Sequence, residues 1–234
     1  MTDWLRVIYP AHCPVCDRIL RFNGGKICAA CYHQLTYIKE PRCKKCGKQI
    51  EKYEEEYCFD CAGHSHVYTK GLALLLNSGA GKRSVYAIKY RHKREYVDFY
   101  TDELLQRYGK EIASWGAQML VPVPLHRKKE LQRGFNQAAV IAASLGKKLR
   151  LPVEKRALRR IVNTRPQKEL DNRWRKKNLE KAFIVSKNVV KLKKVILIDD
   201  IYTTGSTIDA CAKVLLQAGA QEVFYISLSI GSGY

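Results

Sequence analysis

Val195-Ile-Leu-Ile-Asp-Asp-Ile-Tyr-Thr-Thr-Gly-Ser-Thr207 runs an apolar strand into two adjacent acids and then into a short loop of hydroxyl residues and one glycine. Lys194–Ile198 is almost purely apolar, as a parallel strand covered on both faces should be. Ser206–Ala218 behind the loop reads as a helix, with Gly219 placed to end it. Loop amides and a helix N-terminus offer donors and positive potential to a phosphate, and Gly205 lets the backbone come close. Thr203, Thr204, Ser206 and Thr207 add hydroxyl donors. Two carboxylates beside an anion pocket make sense when the ligand also carries hydroxyls. A ribose 5-phosphate meets both conditions: the loop takes the phosphate, and Asp199 and Asp200 take the ribose hydroxyls. The competing reading is a plain strand-to-helix turn capped by Ser or Thr.

Outward from this segment the chain alternates. Gln118–Val123 reads as a strand, Asn136–Leu149 as an alanine-rich helix, Val153–Leu158 as a strand and Glu222–Leu228 as the last strand. Tyr96–Gly109 reads as a helix. Tyr68–Leu76 and Ser84–Tyr90 read as strands joined by a glycine-rich hairpin turn at Asn77-Ser-Gly-Ala-Gly81. Gly79-Ala-Gly-Lys-Arg83 lacks the full spacing of a nucleotide-binding P-loop. This rhythm predicts an α/β fold, a mostly parallel sheet with covering helices, whose ligands sit at the carboxyl ends of the strands.

The first 65 residues are organised differently. Eight of nine cysteines fall in four Cys-x-x-Cys pairs: Cys13/Cys16, Cys28/Cys31, Cys43/Cys46 and Cys58/Cys61. Eleven residues separate the pairs in each half, and the pattern recurs thirty residues on. Two such turns complete an all-sulfur tetrahedral shell for structural Zn²⁺. One ribbon in each half, hence two ions, is the simplest arrangement; a cross-braced pairing of first with third and second with fourth stays open, as does an iron–sulfur cluster. Disulfides fit poorly with a chain that lacks an apolar signal-like start and reads as cytoplasmic, the inner membrane face being left open. His64 and His66 are extra ligands only if the cysteines fall short. Cys211 reads as a small buried hydrophobe. The paired cysteines stop near residue 65, so the expected units are residues 1–65 and 66–234.

Charge sets the partner class. Lys and Arg number 42 against 22 Asp and Glu, a formal net charge of +20, which attracts polyanions such as nucleic acid. Lys39, Arg42, Lys44, Lys45 and Lys48 surround the second ribbon, where nucleic acid is expected. Tyr90, Tyr96, Tyr100 and Trp174 interleave with charge and are stacking candidates for single-stranded DNA. No stretch reaches the length of a transmembrane helix.

The Asp199–Thr207 stretch resembles the phosphoribosylpyrophosphate-binding motif of type I phosphoribosyltransferases. With the cysteine pairs, Val121-Pro-Val-Pro-Leu125, Arg133-Gly-Phe-Asn-Gln137 and Asn163-Thr-Arg-Pro-Gln-Lys-Glu-Leu170, nearly the whole chain resembles the ComF family. The resemblance implies a type I phosphoribosyltransferase-like domain behind a double zinc ribbon, and a part in natural transformation and DNA uptake. It implies phosphoribosylpyrophosphate with Mg²⁺, or a related nucleotide, as ligand, single-stranded DNA as partner, and room for other competence proteins. It makes Asp199 and Asp200 the catalytic pair if the chain turns over substrate, and Arg127, Lys128 and Arg133 the pyrophosphate clamps. It also places a flap at Arg159–Asn178, where Arg165, Lys168, Arg173, Arg175 and Lys176 meet pyrophosphate or nucleic acid. An active phosphoribosyltransferase for an unidentified base is the alternative.

Overall fold

The computed structural model describes residues 10–20, 25–162, 182–186 and 193–232. Four strands, β1 (Gly71–Leu76), β2 (Met119–Pro122), β5 (Lys194–Tyr202) and β6 (Glu222–Ile230), form a parallel sheet in the order β1-β6-β5-β2. β3 (Leu158–Arg160) and β4 (Phe183–Val185) pair antiparallel beside it. Two short helical turns lie in the cysteine module, Ala29–Tyr32 and Phe59–Gly63, and the helices that follow it are α1 (Gly79–Tyr90), α2 (Tyr96–Ser114), α3 (Arg127–Arg133), α4 (Gln137–Leu149) and α5 (Ser206–Gln217).

Residues of β5 alternate between two cores. Val195 and Leu197 pack with Val121, Val223, Tyr225, Cys211 and Leu215 on the α5 side. Ile196 and Ile198 pack with Leu120, Phe224, Ile226 and the apolar faces of α1, α2 and α4 on the other. An apolar strand with no polar alternation is what this double covering requires.

The cysteine module wraps the sheet at its β1 edge. Leu76 donates its amide to the Thr36 carbonyl at 2.9 Å and Ile38 donates to Leu74 at 3.0 Å, so residues 36–38 run antiparallel along β1. Chain before this crossing packs on the α2 face: Val15, Ile27, Tyr32, Leu35 and Tyr37 join that core. Chain after it packs on the α5 face, where Ile38, Cys43, Cys46, Ile50 and Cys58 belong to the opposite core. One ribbon therefore lies on each side of the sheet. Gly47 permits the second to sit close, since a Cβ there would fall 2.6 Å from the Gly71 carbonyl oxygen at the start of β1.

Three elements differ from expectation. Ser84–Tyr90 is not a strand and Asn77–Gly81 is not a hairpin turn; β1 ends and the chain enters α1. The buried positions Ala80, Gly81, Ser84, Val85 and Ile88 follow a helical period, masked in the sequence because most are small or polar. The strand expected at Val153–Leu158 lies later, at Leu158–Arg160, with Val153 only bridging Leu120. Helix α2 runs to Ser114, beyond its expected end at Gly109.

Candidate functional site

Strand β5 carries Asp199 and Asp200 to the carboxyl end of the sheet. Asp200 is buried, and its Oδ2 lies 2.8 Å from Nζ of Lys89, which α1 delivers from the neighbouring layer. Asp199 accepts the Asp200 amide at 2.9 Å. Burial and then the charge of Asp200 push the Asp199 carboxyl up to about 7, against the opposing pull of Lys89.

The loop beyond β5 turns through Gly205, whose φ of +76° precedes α5. A Cβ there would meet the Tyr202 hydroxyl at 2.4 Å and Cε1 of His66 at 2.8 Å, so only glycine lets the turn sit this low. His66 itself is fixed: its Nδ1 and Asp209 Oδ2 are 2.7 Å apart, and Asp209 also accepts the Val67 amide at 3.0 Å. The loop thus rests on the segment that leaves the second ribbon. The Thr204 and Ser206 hydroxyls bond to each other at 2.9 Å.

Opposite the acids stands a cationic wall. A cleft of about 280 Å³ is lined by Lys89, Lys129, Arg133, Arg160, Asp199, Asp200, Thr203 and Thr207 among others. Burial lowers the Lys129 ammonium, and the positive charges of Arg160, Arg133 and Lys89 lower it further. Several cations and two carboxylates thus line one cleft.

The stretch Arg133-Gly-Phe-Asn-Gln137 builds this wall. Arg133 closes α3 and donates to the Tyr90 hydroxyl at 3.1 Å and to Gln137 Oε1 at 3.3 Å. Phe135 is buried, with the Arg94 guanidinium 4.1 Å from its ring centroid. Asn136 caps α4 by accepting the Ala138 amide at 3.0 Å, and its own amide donates to the Val123 carbonyl at 3.0 Å. Gln137 reaches the Lys89 carbonyl at 3.3 Å. Strand end, cap and cationic wall are one connected unit.

The structure brings Arg133, Asp199, Asp200, Thr203 and Thr207 together around the cleft. Arg127 and Lys128 are exposed on the first turn of α3 and lie outside the cleft lining; Thr204, Gly205 and Ser206, in the loop leading into α5, do not line it either. Arg165, Lys168, Arg173, Arg175, Lys176 and Trp174 lie outside the described residues. Three cleft cations escaped the sequence reading. Lys89 sits on α1, which the sequence does not show as a helix; Lys129 follows the Arg127/Lys128 pair on α3; and Arg160, within the expected flap segment, instead lies on β3 and reaches the site where that strand bridges His126.

One nucleic-acid expectation is corrected. Tyr96 and Tyr100 are 3% and 0% exposed and cannot stack on bases, whereas Tyr90 is exposed. Around the second ribbon, Arg42 pairs with Glu40 at 2.6 Å and Glu111 at 3.0 Å, Lys44 with Glu56, and buried Lys48 with Asp60 at 2.5 Å. Those cations answer acids of the chain itself.

The cysteines form two groups, Cys13/Cys16/Cys28/Cys31 and Cys43/Cys46/Cys58/Cys61, with the sulfurs of each within 4.8 Å of one another. Each ribbon is complete in itself, and the cross-braced pairing is excluded. Zn–S bonds of 2.3 Å at tetrahedral angles set sulfurs about 3.8 Å apart; Cys13–Cys28, Cys16–Cys28 and Cys46–Cys58 stand at 3.6, 3.8 and 3.6 Å. In the second group, contacts with Cys46, Cys58 and Cys61 hold the Cys43 thiol far below its ordinary range, and the same crowding pushes Cys46 far above it. A divalent cation relieves that competition by taking four thiolates at once. His66 is committed to Asp209, so both sites are closed four-sulfur sites suited to structural zinc. Cys211 is fully buried, as expected.

Residues 4–62 match the double zinc ribbon domain family. Among described residues no helix is long and apolar enough to cross a membrane. Among solved structures, adenine phosphoribosyltransferase from Leishmania tarentolae is similar at 15% identity over 62% of this chain and 74% of that one, with a TM-score of 0.38. The chain is 27% identical to competence protein F of Haemophilus influenzae over 90% of its own length and 93% of that protein. Its identity to DNA utilization protein YhgH of Salmonella typhimurium is 30%, across 90% of this chain and 86% of the relative. With that identity across most of both chains, and the double zinc ribbon matched at residues 4–62, the chain belongs to the ComF family.

Proposed function

We propose that the cleft binds phosphoribosylpyrophosphate or a related nucleotide, and that the chain serves natural transformation by handling imported single-stranded DNA on the cytoplasmic side. One observation carries the ligand: four cations, Lys89, Lys129, Arg133 and Arg160, share a cleft with two adjacent acids and a glycine-turned loop at a helix N-terminus. Asp199 and Asp200 take the ribose hydroxyls, and the loop amides with Thr203 and Thr207 take the 5-phosphate. Lys129 and Arg133 take the pyrophosphate, and Arg127 and Lys128 approach it from the exposed end of α3. Among described residues only the cysteines form a close donor group, so Mg²⁺ would arrive on the pyrophosphate. The process is supported by relatives named for competence and DNA utilization, and DNA as partner by the net charge of +20.

The test is calorimetric titration of the zinc-loaded protein with phosphoribosylpyrophosphate and Mg²⁺. Saturable binding lost in Asp199→Asn/Asp200→Asn supports the reading; a folded protein that gives no heat overturns it.

A second reading, turnover, draws on Asp199, whose carboxyl near 7 suits proton transfer at neutral pH. In that reaction the bond from ribose C1 to pyrophosphate breaks, pyrophosphate leaves with its electron pair, and a base nitrogen bonds to C1. Pyrophosphate release on supplying bases tests it.

A further inference from the structure

Helix α1 turns one face away from the protein, and that face has a consistent chemistry. Lys82, Arg83, Tyr86 and Tyr90 are exposed, while Ala80, Gly81, Ser84, Val85 and Ile88 are buried. Lys82, Tyr86 and Tyr90 repeat at four-residue intervals, which stacks them along about 12 Å of helix. The rings of Tyr86 and Tyr90 already lie against each other, with centroids 4.5 Å apart and planes tilted by 38°. They are 53% and 48% exposed, a large aromatic area for a surface otherwise rich in charge. Arg133 extends the row: its guanidinium carbon lies 4.9 Å from the Tyr90 ring centroid while the same side chain lines the cleft.

We infer that Tyr86, Tyr90 and Arg133 form a base-stacking platform for single-stranded nucleic acid at the mouth of the Asp200 cleft. The inference rests on the DNA-handling part of the proposed function and assigns it a place. Unpaired bases need a flat π or guanidinium surface, because their own stack is broken, and aromatic pairs supply one without reading sequence. Duplex bases are already stacked and would gain little. Lys82 and Arg83 flank the rings with charge of the sign a phosphate backbone requires, which favours a polyanionic strand over an apolar protein segment. The platform joins the cleft twice, through Arg133 and through Lys89, the residue before Tyr90, whose ammonium holds Asp200. A strand stacked there runs its backbone past the anion site.

The experiment measures fluorescence anisotropy of a labelled oligothymidylate, and of the same strand with abasic positions, against wild type, Tyr86→Ala/Tyr90→Ala and Tyr90→Trp. Wild type should bind the intact strand about 5- to 100-fold more tightly than the double variant does. The double variant should not distinguish intact from abasic strands, and should keep the salt slope of wild type. Tyr90→Trp should retain binding, with its indole fluorescence quenched by the strand. Both sites are exposed, and zinc content with melting temperature checks that the variants are folded. Equal affinity of wild type and double variant overturns the platform and leaves the face to a protein partner. An equal loss on intact and abasic strands overturns it too. If wild type binds no strand at all, the DNA-handling reading fails and the platform falls with it, an outcome told apart by the absence of any wild-type affinity.

Discussion

The Tyr225 hydroxyl donates to the backbone carbonyl of Cys46 at 2.6 Å, joining the last strand of the sheet to a ligand of the second ribbon. Tyr225 stacks on Tyr202 at 4.7 Å, and the Tyr202 hydroxyl lies 2.8 Å from that of Tyr68, which in turn stacks on His66. Tyr202 and His66 are the two residues against which the Gly205 turn rests. The second zinc site and the Gly205 loop therefore share one buried aromatic support.

Tyr225→Phe removes the donor, keeps the ring and leaves a buried carbonyl unpaired. The expected cost is about 1–2 kcal/mol, a fall of about 2–8 °C in melting temperature, with faster zinc release to a chromogenic chelator. A variant that melts and releases zinc like wild type would show that the ring alone makes the junction.

The two zinc sites should differ in what their loss does. Cys43, Cys46 and Cys58 are members of the α5-side core, whereas the first ribbon reaches its core mainly through partly buried side chains such as Val15, Tyr32 and Tyr37. Cys46→Ser should release one zinc and destabilise the whole unfolding transition, on the order of 5 kcal/mol given what structural zinc contributes to small domains. Cys16→Ser, at an exposed ligand, should release the other zinc with the smaller loss. Metal content and denaturant unfolding check the order; equal losses would refute it.

Gly205→Ala places a Cβ where the backbone conformation disfavours it and where Tyr202 and His66 already stand. About 2–3 kcal/mol of destabilisation is expected, with weaker binding of phosphoribosylpyrophosphate as the loop lifts. Urea unfolding and calorimetry together measure it. Normal stability with normal binding would mean the loop bears no such constraint.

Asp199 sets a pH dependence of defined sign. Its folded pKa of about 7 lies above the ordinary 3.8, so the folded state holds the proton more tightly than the unfolded chain. The stability it contributes is complete below about pH 4 and is lost as pH rises to about 7. Asp199→Asn should flatten this limb, leaving the ligand-free variant about 2 kcal/mol more stable relative to wild type at pH 8 than at pH 5.5. Parallel slopes for the two proteins would place the carboxyl near its ordinary range.

Short-range pattern made β5, the Asp199–Thr207 loop, α5 and the four cysteine pairs legible. Each is a contiguous segment whose chemistry is complete within about a dozen residues: an apolar run, a glycine turn, a helix, two thiols on one turn. Helix α1 was not legible, because its buried face uses Ala80, Gly81 and Ser84 where a stronger signal needs large apolar groups. Lys89 went with it.

The sequence by itself determined that the chain builds a covered parallel sheet, a glycine-turned loop between β5 and α5 and two four-sulfur sites, since local spacing and hydropathy specify these without reference to distant residues. Only the tertiary structure decided that residues 36–38 run along β1 and set one ribbon on each face of the sheet. It alone decided that Lys89, Lys129, Arg133 and Arg160 converge on the acids, and that Tyr96 and Tyr100 are buried while Tyr86 and Tyr90 face water. The reason is physical: which side of a helix is covered, and which charges meet across a cleft, depends on packing between segments far apart in the chain.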